Sequence, residues 1–271
     1  MKRMIFSIKH GFRKGFIPIA LEEGVSGNYF LNDEYKKSVA IFKPFDEEAF
    51  APNNPKGFIG RLGFDKGFRD GVLSGESATR EVAAYLLDDK HFHKVPETSF
   101  VQVNHTYFAK RKSTDIEFGP QKLCLNNESD IKNSDQKLGS LQVLKKNDGE
   151  IGDYSCSLFS TYEVQSIAIL DLRILNCDRN EGNILVRMRK NSRGQKVHCL
   201  IPIDHGLSFP DNLNIADYEI AWTLWPQIKK PIHEDLKNYI LNLDTIKNIQ
   251  TLQRTLKFRP LCLRNYRLAE T

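Results

Sequence analysis

Apolar and polar positions alternate or run apolar from Gly27 to Leu31 and again from Ser38 to Phe42, with the turn residues Asn32-Asp33 between them. That is the pattern of an antiparallel hairpin, and it predicts that a sheet-rich lobe opens the protein. The pattern then lapses. Asn53 to Gly75 is rich in Gly and basic residues, Pro52 and Pro55 interrupt regularity, and a long surface loop is expected. From Ser77 to Asp88 the period becomes helical, with Ala78, Val82, Tyr85 and Leu86 at three- and four-residue spacing and Ser77 or Thr79 available as cap. Ser99 to Ala109 and Leu138 to Leu144 read as further strands, separated by a polar stretch from Lys110 to Lys137 that reads as a flexible insertion.

The second half is more helical. Val164, Ile167, Leu170 and Ile174 mark one buried helix stripe, which ends where Asn176-Cys177-Asp178 begins. Asn183 to Val186 and Val197 to Ile203 are short apolar runs joined through Lys190-Asn-Ser-Arg-Gly194, a hairpin turn by composition. From Glu234 onward one or two helices are expected. The pattern as a whole predicts an α+β chain: an antiparallel-sheet N-terminal lobe over residues 1–144, with the insertion at 110–137, and a mainly helical C-terminal lobe over residues 145–271.

Composition narrows the class. With 271 residues, 40% apolar and 27% charged, the chain can bury the core of one two-lobed catalytic domain and is too apolar for global disorder. No apolar run reaches the roughly 18 to 20 residues of a spanning helix. The start, Met1 to His10, breaks its hydrophobicity too early for a signal peptide. Cys124, Cys156, Cys177, Cys199 and Cys262 are odd in number and lack a C-x-x-C pair, so neither a disulfide framework nor a zinc site is expected, and a reducing, cytoplasmic compartment fits. The formal charge of +5 lies at the end: from Thr245 onward six basic residues (Lys247, Arg254, Lys257, Arg259, Arg264, Arg267) face Glu270 alone. Lys2, Arg3, Lys9, Arg13 and Lys14 cluster at the start. Such ends suit peripheral contact with an anionic membrane, or are simply solvated helix faces; without interleaved aromatics, no nucleic acid is expected.

The chemistry concentrates in four places. Asp178-Arg-Asn-Glu-Gly-Asn183 sets an Asp and an Asn five apart between a helix and a strand, the spacing of a loop that orients an attacking hydroxyl and holds magnesium, although Asp, Asn and Gly are also common turn residues. Ile201-Pro-Ile-Asp204-His-Gly206 delivers a second carboxylate at a strand end, with His205 read as structural. Val39-Ala-Ile-Phe-Lys43-Pro44 is a strand ending in a lysine, for which Glu81, or less favourably Glu76, is the helical partner. Gly24-Val-Ser-Gly27-Asn28 is a tight turn whose amides could cover phosphates.

In this order the four resemble the phosphoinositide 3-/4-kinase family, closest to the type II-like, plant gamma-type phosphatidylinositol 4-kinases. Further matches are Phe42-Lys-Pro-Phe-Asp-Glu-Glu48, Asn53-Asn-Pro55, Gly75 to Asp88, Gly139-Ser-Leu-Gln142 and Leu224-Trp-Pro-Gln227. The resemblance implies a two-lobed kinase-like fold that uses ATP and Mg2+, or Mn2+. It makes Asp178, Arg179 and Lys43 catalytic and Asn183 and Asp204 metal ligands. It assigns nucleotide binding to Gly24, Val25, Ser26, Gly27, Asn28, Lys43, Glu81, Gln142, Val143 and Leu144, the last three as a hinge whose backbone bonds adenine. The implied acceptor is phosphatidylinositol; a protein serine/threonine substrate and an inactive scaffold are the alternatives. Trp222 and Trp225 are read as core. Asn53 to Gly75 has no cysteine, unlike the palmitoylated stretch of type II relatives, and the end at Thr271 reads as abrupt for the family.

Overall fold

A helix, not a strand, opens the chain. In the computed structural model, which describes residues 1–108, 123–125 (as backbone), 136–214 and 220–270, Lys2–Arg13 forms α1. Ile5, Ile8 and Phe12, three and four residues apart, are buried on one side of it. The dense basic residues of this segment draw attention away from that stripe, which is why the alternation further along suggested a sheet from the start. Gly11 is needed here: a Cβ would sit 2.6 Å from the Asn32 carbonyl, so only glycine lets α1 approach the sheet this closely.

The described residues form two compact units, one holding Met1–Ala83, Glu97–Leu144 and Thr255–Lys257, the other the remainder. In the first, strands β1 (Ile19–Ala20), β2 (Tyr29–Asn32), β3 (Ser38–Pro44), β4 (Thr98–Asn104), β5 (Leu123–Leu125) and β6 (Gln136–Val143) make one sheet in the order β1-β2-β3-β6-β4-β5. Every pairing is antiparallel except β4 with β5. Period-two burial of Tyr29 and Leu31, Ala40 and Phe42, and Val101 and Val103 lines one face, against which Ile5, Ile8 and Phe12 pack. Each large apolar side chain buried this way contributes about 1.5–3 kcal/mol. The β2–β3 turn is closed by Asp33, whose Oδ1 accepts the Tyr35 and Lys37 amides at 2.9 Å.

Polar composition misassigns part of the 110–137 insertion. Leu123–Leu125 is a strand, and Lys137 lies in β6, buried, with its ammonium at Asp46 and 3.2 Å from Glu47. A buried cation paired to buried acids looks, in sequence, like a solvated loop lysine. The rest of that segment lies outside the described residues. Asn53 to Gly75 contains neither helix nor strand, as the glycines and prolines predict. Helix α2 (Ser77–Leu87) follows, burying Leu87 rather than Leu86.

In the second unit α3 (Thr161–Ile174) starts at Ser160, whose hydroxyl accepts the Glu163 amide at 3.2 Å, and buries Val164, Ile167, Leu170 and Ile174. Strands β7 (Ile184–Lys190) and β8 (Lys196–Pro202) form an antiparallel pair, and Val186 and Leu200 join Val164, Ile167 and Trp222 in its core. Three helices, not one or two, complete the chain: α4 (Glu234–Leu241), α5 (Thr245–Thr255) and α6 (Pro260–Glu270). Among the described residues no helix is long and apolar enough to cross a membrane.

Candidate functional site

In the first unit the site is built on β3. Ala40 and Phe42 face the core beneath α1, so alternation turns Lys43 to the other face, where it is buried and its Nζ donates to Glu81 Oε1 on α2. Glu81 is wholly buried, and its Oε2 accepts from Gln142 Nε2 at 3.3 Å, while the same amide reaches Thr98 Oγ1 at 3.1 Å. Glu76 is occupied elsewhere: it accepts the Leu73 amide at 2.8 Å and pairs with Arg80. Of the two candidate glutamates, Glu81 is therefore the one at Lys43.

The Gly24–Asn28 turn is tied to the segment after β3. Gly27 N–H donates to the Glu47 carbonyl at 2.8 Å, and a Cβ on Gly27 would meet Glu47 Oε2 at 2.4 Å, so this glycine serves close approach. Ser26 Oγ accepts the Ala49 amide at 3.3 Å, and Asn54 Nδ2 donates to the Val25 carbonyl at 2.8 Å. Not all of the turn's amides are thus left for phosphate: that of Gly27 is committed to the protein. Two amides of the expected hinge are likewise engaged: Val143 N–H bonds the Glu97 carbonyl at 2.9 Å and Leu144 N–H the Val39 carbonyl at 3.0 Å, the chain on either side of β6. Gln142 acts through its side chain, on Glu81.

Beside this turn, Asp46, Glu47 and Glu48 are all buried, a run of acids that composition alone would place in solvent. Burial pushes the Glu47 carboxyl up to about 7, against the pull of nearby Lys137; Tyr29 donates its hydroxyl to the same group.

In the second unit the candidate residues lie on the loop after α3 and at the end of β8. Leu175 ends the helix in the left-handed region, with φ 50°, which returns the Asn176 amide to the Asp171 carbonyl at 2.9 Å. Asn176 Oδ1 accepts the Asp178 amide at 3.0 Å. The Asp178 carbonyl accepts from Asn183 Nδ2 at 2.7 Å, which turns the Asn183 amide oxygen away from the loop. Ile203 N–H donates to the Asn183 carbonyl at 3.0 Å, so Asn183 and Asp204 are held one residue from direct pairing. Asp204 itself has φ 53°, a left-handed conformation that costs a non-glycine residue roughly 1–2 kcal/mol and persists because its surroundings fix it.

Arg179 is fully buried. Its Nε and Nη2 bind the Asp171 carboxylate at 2.9–3.0 Å, and its Nη1 donates to the carbonyls of Asn183 at 2.7 Å and Ile203 at 2.6 Å. So engaged, Arg179 is fitted to a positioning role, holding the loop rather than reaching out of it. Asp171 is the residue that sequence reasoning missed. Its carboxylate also accepts from Trp222 Nε1 at 2.8 Å and Asn176 Nδ2 at 3.0 Å. The signal was present: an Asp inside the stripe of Ile167, Leu170 and Ile174 is a buried charge that requires a partner.

The family model for phosphatidylinositol 3- and 4-kinase matches residues 24–270. The chain belongs to this family. Phosphatidylinositol 4-kinase gamma 6 of Arabidopsis thaliana is 40% identical over 268 residues, 97% of this chain and 41% of the relative. Phosphatidylinositol 4-kinase gamma 5 of the same plant is 38% identical over 256 residues, 94% of this chain and 39% of the relative. The chain thus spans about two fifths of the length of these curated relatives. The golgi casein kinase structure covers 100% of this chain and 75% of its own, with 15% identity and a TM-score of 0.46, too loose an overlap to carry a conclusion.

Helix α1 lies before the stretch matched by the phosphatidylinositol 3- and 4-kinase model, yet it completes the core of the first unit. The donor set suits the metal such a kinase implies. Asn183 offers an amide oxygen and Asp204 a carboxylate, both hard ligands, and among the described residues no three or more His, Cys, Asp or Glu gather into a protein-only cage. Magnesium favours such sparse protein ligation, completed by phosphate oxygens and water.

Proposed function

We propose that this chain is an ATP- and magnesium-dependent kinase that transfers the γ-phosphoryl group of ATP to an inositol hydroxyl of phosphatidylinositol, as a 4-kinase. The observation that carries the reading is the 40% identity, over nearly the whole chain, to a relative named for that reaction. The geometry supports it with a buried Lys43–Glu81 pair and a braced Asp178–Asn183 loop.

Each residue's part follows from its setting. Lys43, held by Glu81, presents a fixed cation to nucleotide phosphate. Asp178, half-buried, accepts the proton of the attacking hydroxyl and orients it. Asn183 and Asp204 hold magnesium, which when bound neutralises phosphate charge. Arg179 keeps Asn183 and the residue before Asp204 in place. Phosphoryl transfer asks a protein mainly for positioning and charge stabilisation, and these side chains are braced accordingly.

A lipid substrate also requires a way to reach the bilayer. Phe58, Ile59, Phe64 and Phe68 are exposed in the loop before α2, with the Arg61 guanidinium over the Phe64 ring and that of Arg69 over Phe68. This loop and the basic ends are each suited to contact with an anionic interface.

The test is to incubate purified chain with labelled ATP and magnesium, offering phosphatidylinositol vesicles and a generic protein substrate in parallel. Label in phosphatidylinositol 4-phosphate is expected. Label in protein alone would indicate a protein kinase on the same scaffold, and label in neither an inactive one.

A further inference from the structure

Glu48 is buried, and it follows Lys43 by five residues along the same stretch of chain, just past the short turn Phe45–Glu47 that ends β3. Its carboxylate meets the beginning of α2. Oε2 accepts the amides of Gly75 at 2.9 Å and Ser77 at 3.1 Å, and Oε1 accepts that of Ala78 at 3.0 Å. Neither Ser77 nor Thr79, the caps that sequence suggests, is needed for these donors. Gly75 makes the convergence possible: with φ 89° it bends the chain so that its own amide and that of Ser77 face one oxygen. Glu81 stands one helical turn beyond Ala78, with its carboxylate on Lys43. One segment of chain, residues 43–48, therefore grips α2 at two points about a turn apart, by Glu48 at the helix start and by Lys43 at Glu81.

Two contacts a turn apart fix more than either alone. The Lys43–Glu81 pair sets a distance but leaves the helix free to swing about it. A second anchor at residues 75–78 removes that freedom. An unpartnered helix start would also leave several amides unsatisfied, so release of this end is costly.

We propose that Glu48 is a positioning residue for the Lys43–Glu81 pair: by binding the first turn of α2 to the segment that bears Lys43, it assembles that pair before any nucleotide arrives. The inference rests on the kinase reading above for its functional consequence. It makes α2 a fixed part of the fold, not an element that swings to switch activity. Burial raises the Glu48 carboxyl to about 8 even though three amides favour the ionised form. Both carboxyl oxygens act as acceptors, so a glutamine keeps one of them and sets an amide N–H against the remaining backbone donor.

Glu48→Ala and Glu48→Gln, each compared with the wild-type chain, test this by amide hydrogen exchange and by titration with a fluorescent non-hydrolysable ATP analogue in magnesium. In Glu48→Ala, exchange should rise across residues 77–83 by about tenfold while β2 and β4 keep their protection, and the analogue should bind about five- to tenfold more weakly, the scale of a lost cap. Glu48→Gln, which keeps a single acceptor oxygen, should fall between wild type and Glu48→Ala in both. Unchanged exchange in α2, or exchange raised equally throughout the first unit, would overturn the proposal. So would normal exchange in Glu48→Gln with affinity as poor as in Glu48→Ala. The two readouts separate the inference from its premise: if wild type binds no analogue, the kinase reading fails, and α2 exchange still decides whether Glu48 fixes the helix.

Discussion

Asp178 and Asp204 differ in what holds them, and that difference predicts how each variant behaves. Asp178 is braced through its backbone, by Asn176 and Asn183, while Asp204 is set by a left-handed turn after β8. Neither side chain belongs to the apolar core, so Asp178→Ala and Asp204→Asn should melt within a few degrees of wild type. Both should lose phosphoryl transfer by about two orders of magnitude or more, the scale of a removed base or metal ligand. A calorimetric scan beside a single-turnover assay would show whether the two properties part in this way. His93 offers a second residue-scale test. Burial in the second unit, with the charge of Arg173 nearby, pushes its imidazole down to about 3, while Nδ1 contacts Ser166 Oγ at 3.0 Å. A histidine depressed from 6.5 binds its proton only on unfolding, so it withdraws stability as pH falls below about 6.5. Glu47 and Glu48, raised by burial, act in the opposite sense, and wild type alone will not isolate His93. The stability of wild type minus that of His93→Gln should fall by up to roughly 1.4 kcal/mol per pH unit between pH 6 and pH 4, measured by denaturant melts. A difference independent of pH would refute the assignment.

At the scale of elements, the loop between α3 and β7 depends on a charge pair at its back. Arg179 reaches Asp171, Asn183 and Ile203 at once, so no single lost bond describes its removal. Arg179→Met strands the Asp171 carboxylate, leaving only Trp222 and Asn176 to satisfy it, and should destabilise the second unit by about 3–5 kcal/mol. Arg179→Lys keeps the charge but not the fork. It should fold, bind Mn2+ with nucleotide several-fold more weakly by electron paramagnetic resonance, and transfer phosphate slowly. Wild-type metal affinity in Arg179→Lys would mean that the fork does not set the Asn183–Asp204 spacing. The reverse case is instructive at α2: its existence is plain in the sequence, but its cap is not, since Glu48 lies 27 residues before Gly75.

At the scale of the molecule, the proposed lipid substrate requires a surface that can meet a bilayer. Exposed Lys247, Arg254, Lys257, Arg264 and Arg267, the basic residues of α1, and the aromatic loop at Phe58 to Phe68 are the available surfaces. Arg259 drops out of the set that composition suggests, because it is paired with Asp211. Each basic residue near an anionic surface contributes about 1 kcal/mol, and salt screens it. Co-sedimentation with phosphatidylserine-containing vesicles should therefore fall steeply between low and physiological salt, and fall further when Arg254, Arg264 and Arg267 are neutralised together. Binding that ignores both salt and these residues would assign the contact to the aromatic loop alone.

Much of this molecule is legible without coordinates, because local pattern decides it. Alternation at Tyr29 to Leu31 and Ser38 to Phe42, the helical period of Val164 to Ile174 and the Asn191–Gln195 turn each rest on neighbours a few residues away. The order Lys43, Glu81, Asp178, Asn183, Asp204, on which the proposed chemistry rests, is legible for the same reason: each sits in or beside an element that its own flanks specify. Three things were decided by tertiary structure alone. Burial of Asp46, Glu47 and Lys137 depends on acids meeting a lysine some 90 residues away, and burial of Glu48 on amides at the start of α2. Arg179 braces its loop because Asp171 and the Ile203 carbonyl converge on it from different elements. The Gly27, Val143 and Leu144 amides are taken by carbonyls at Glu47, Glu97 and Val39. A hydrogen bond is short-ranged in space but indifferent to separation along the chain, so local sequence can place a polar group without revealing its partner.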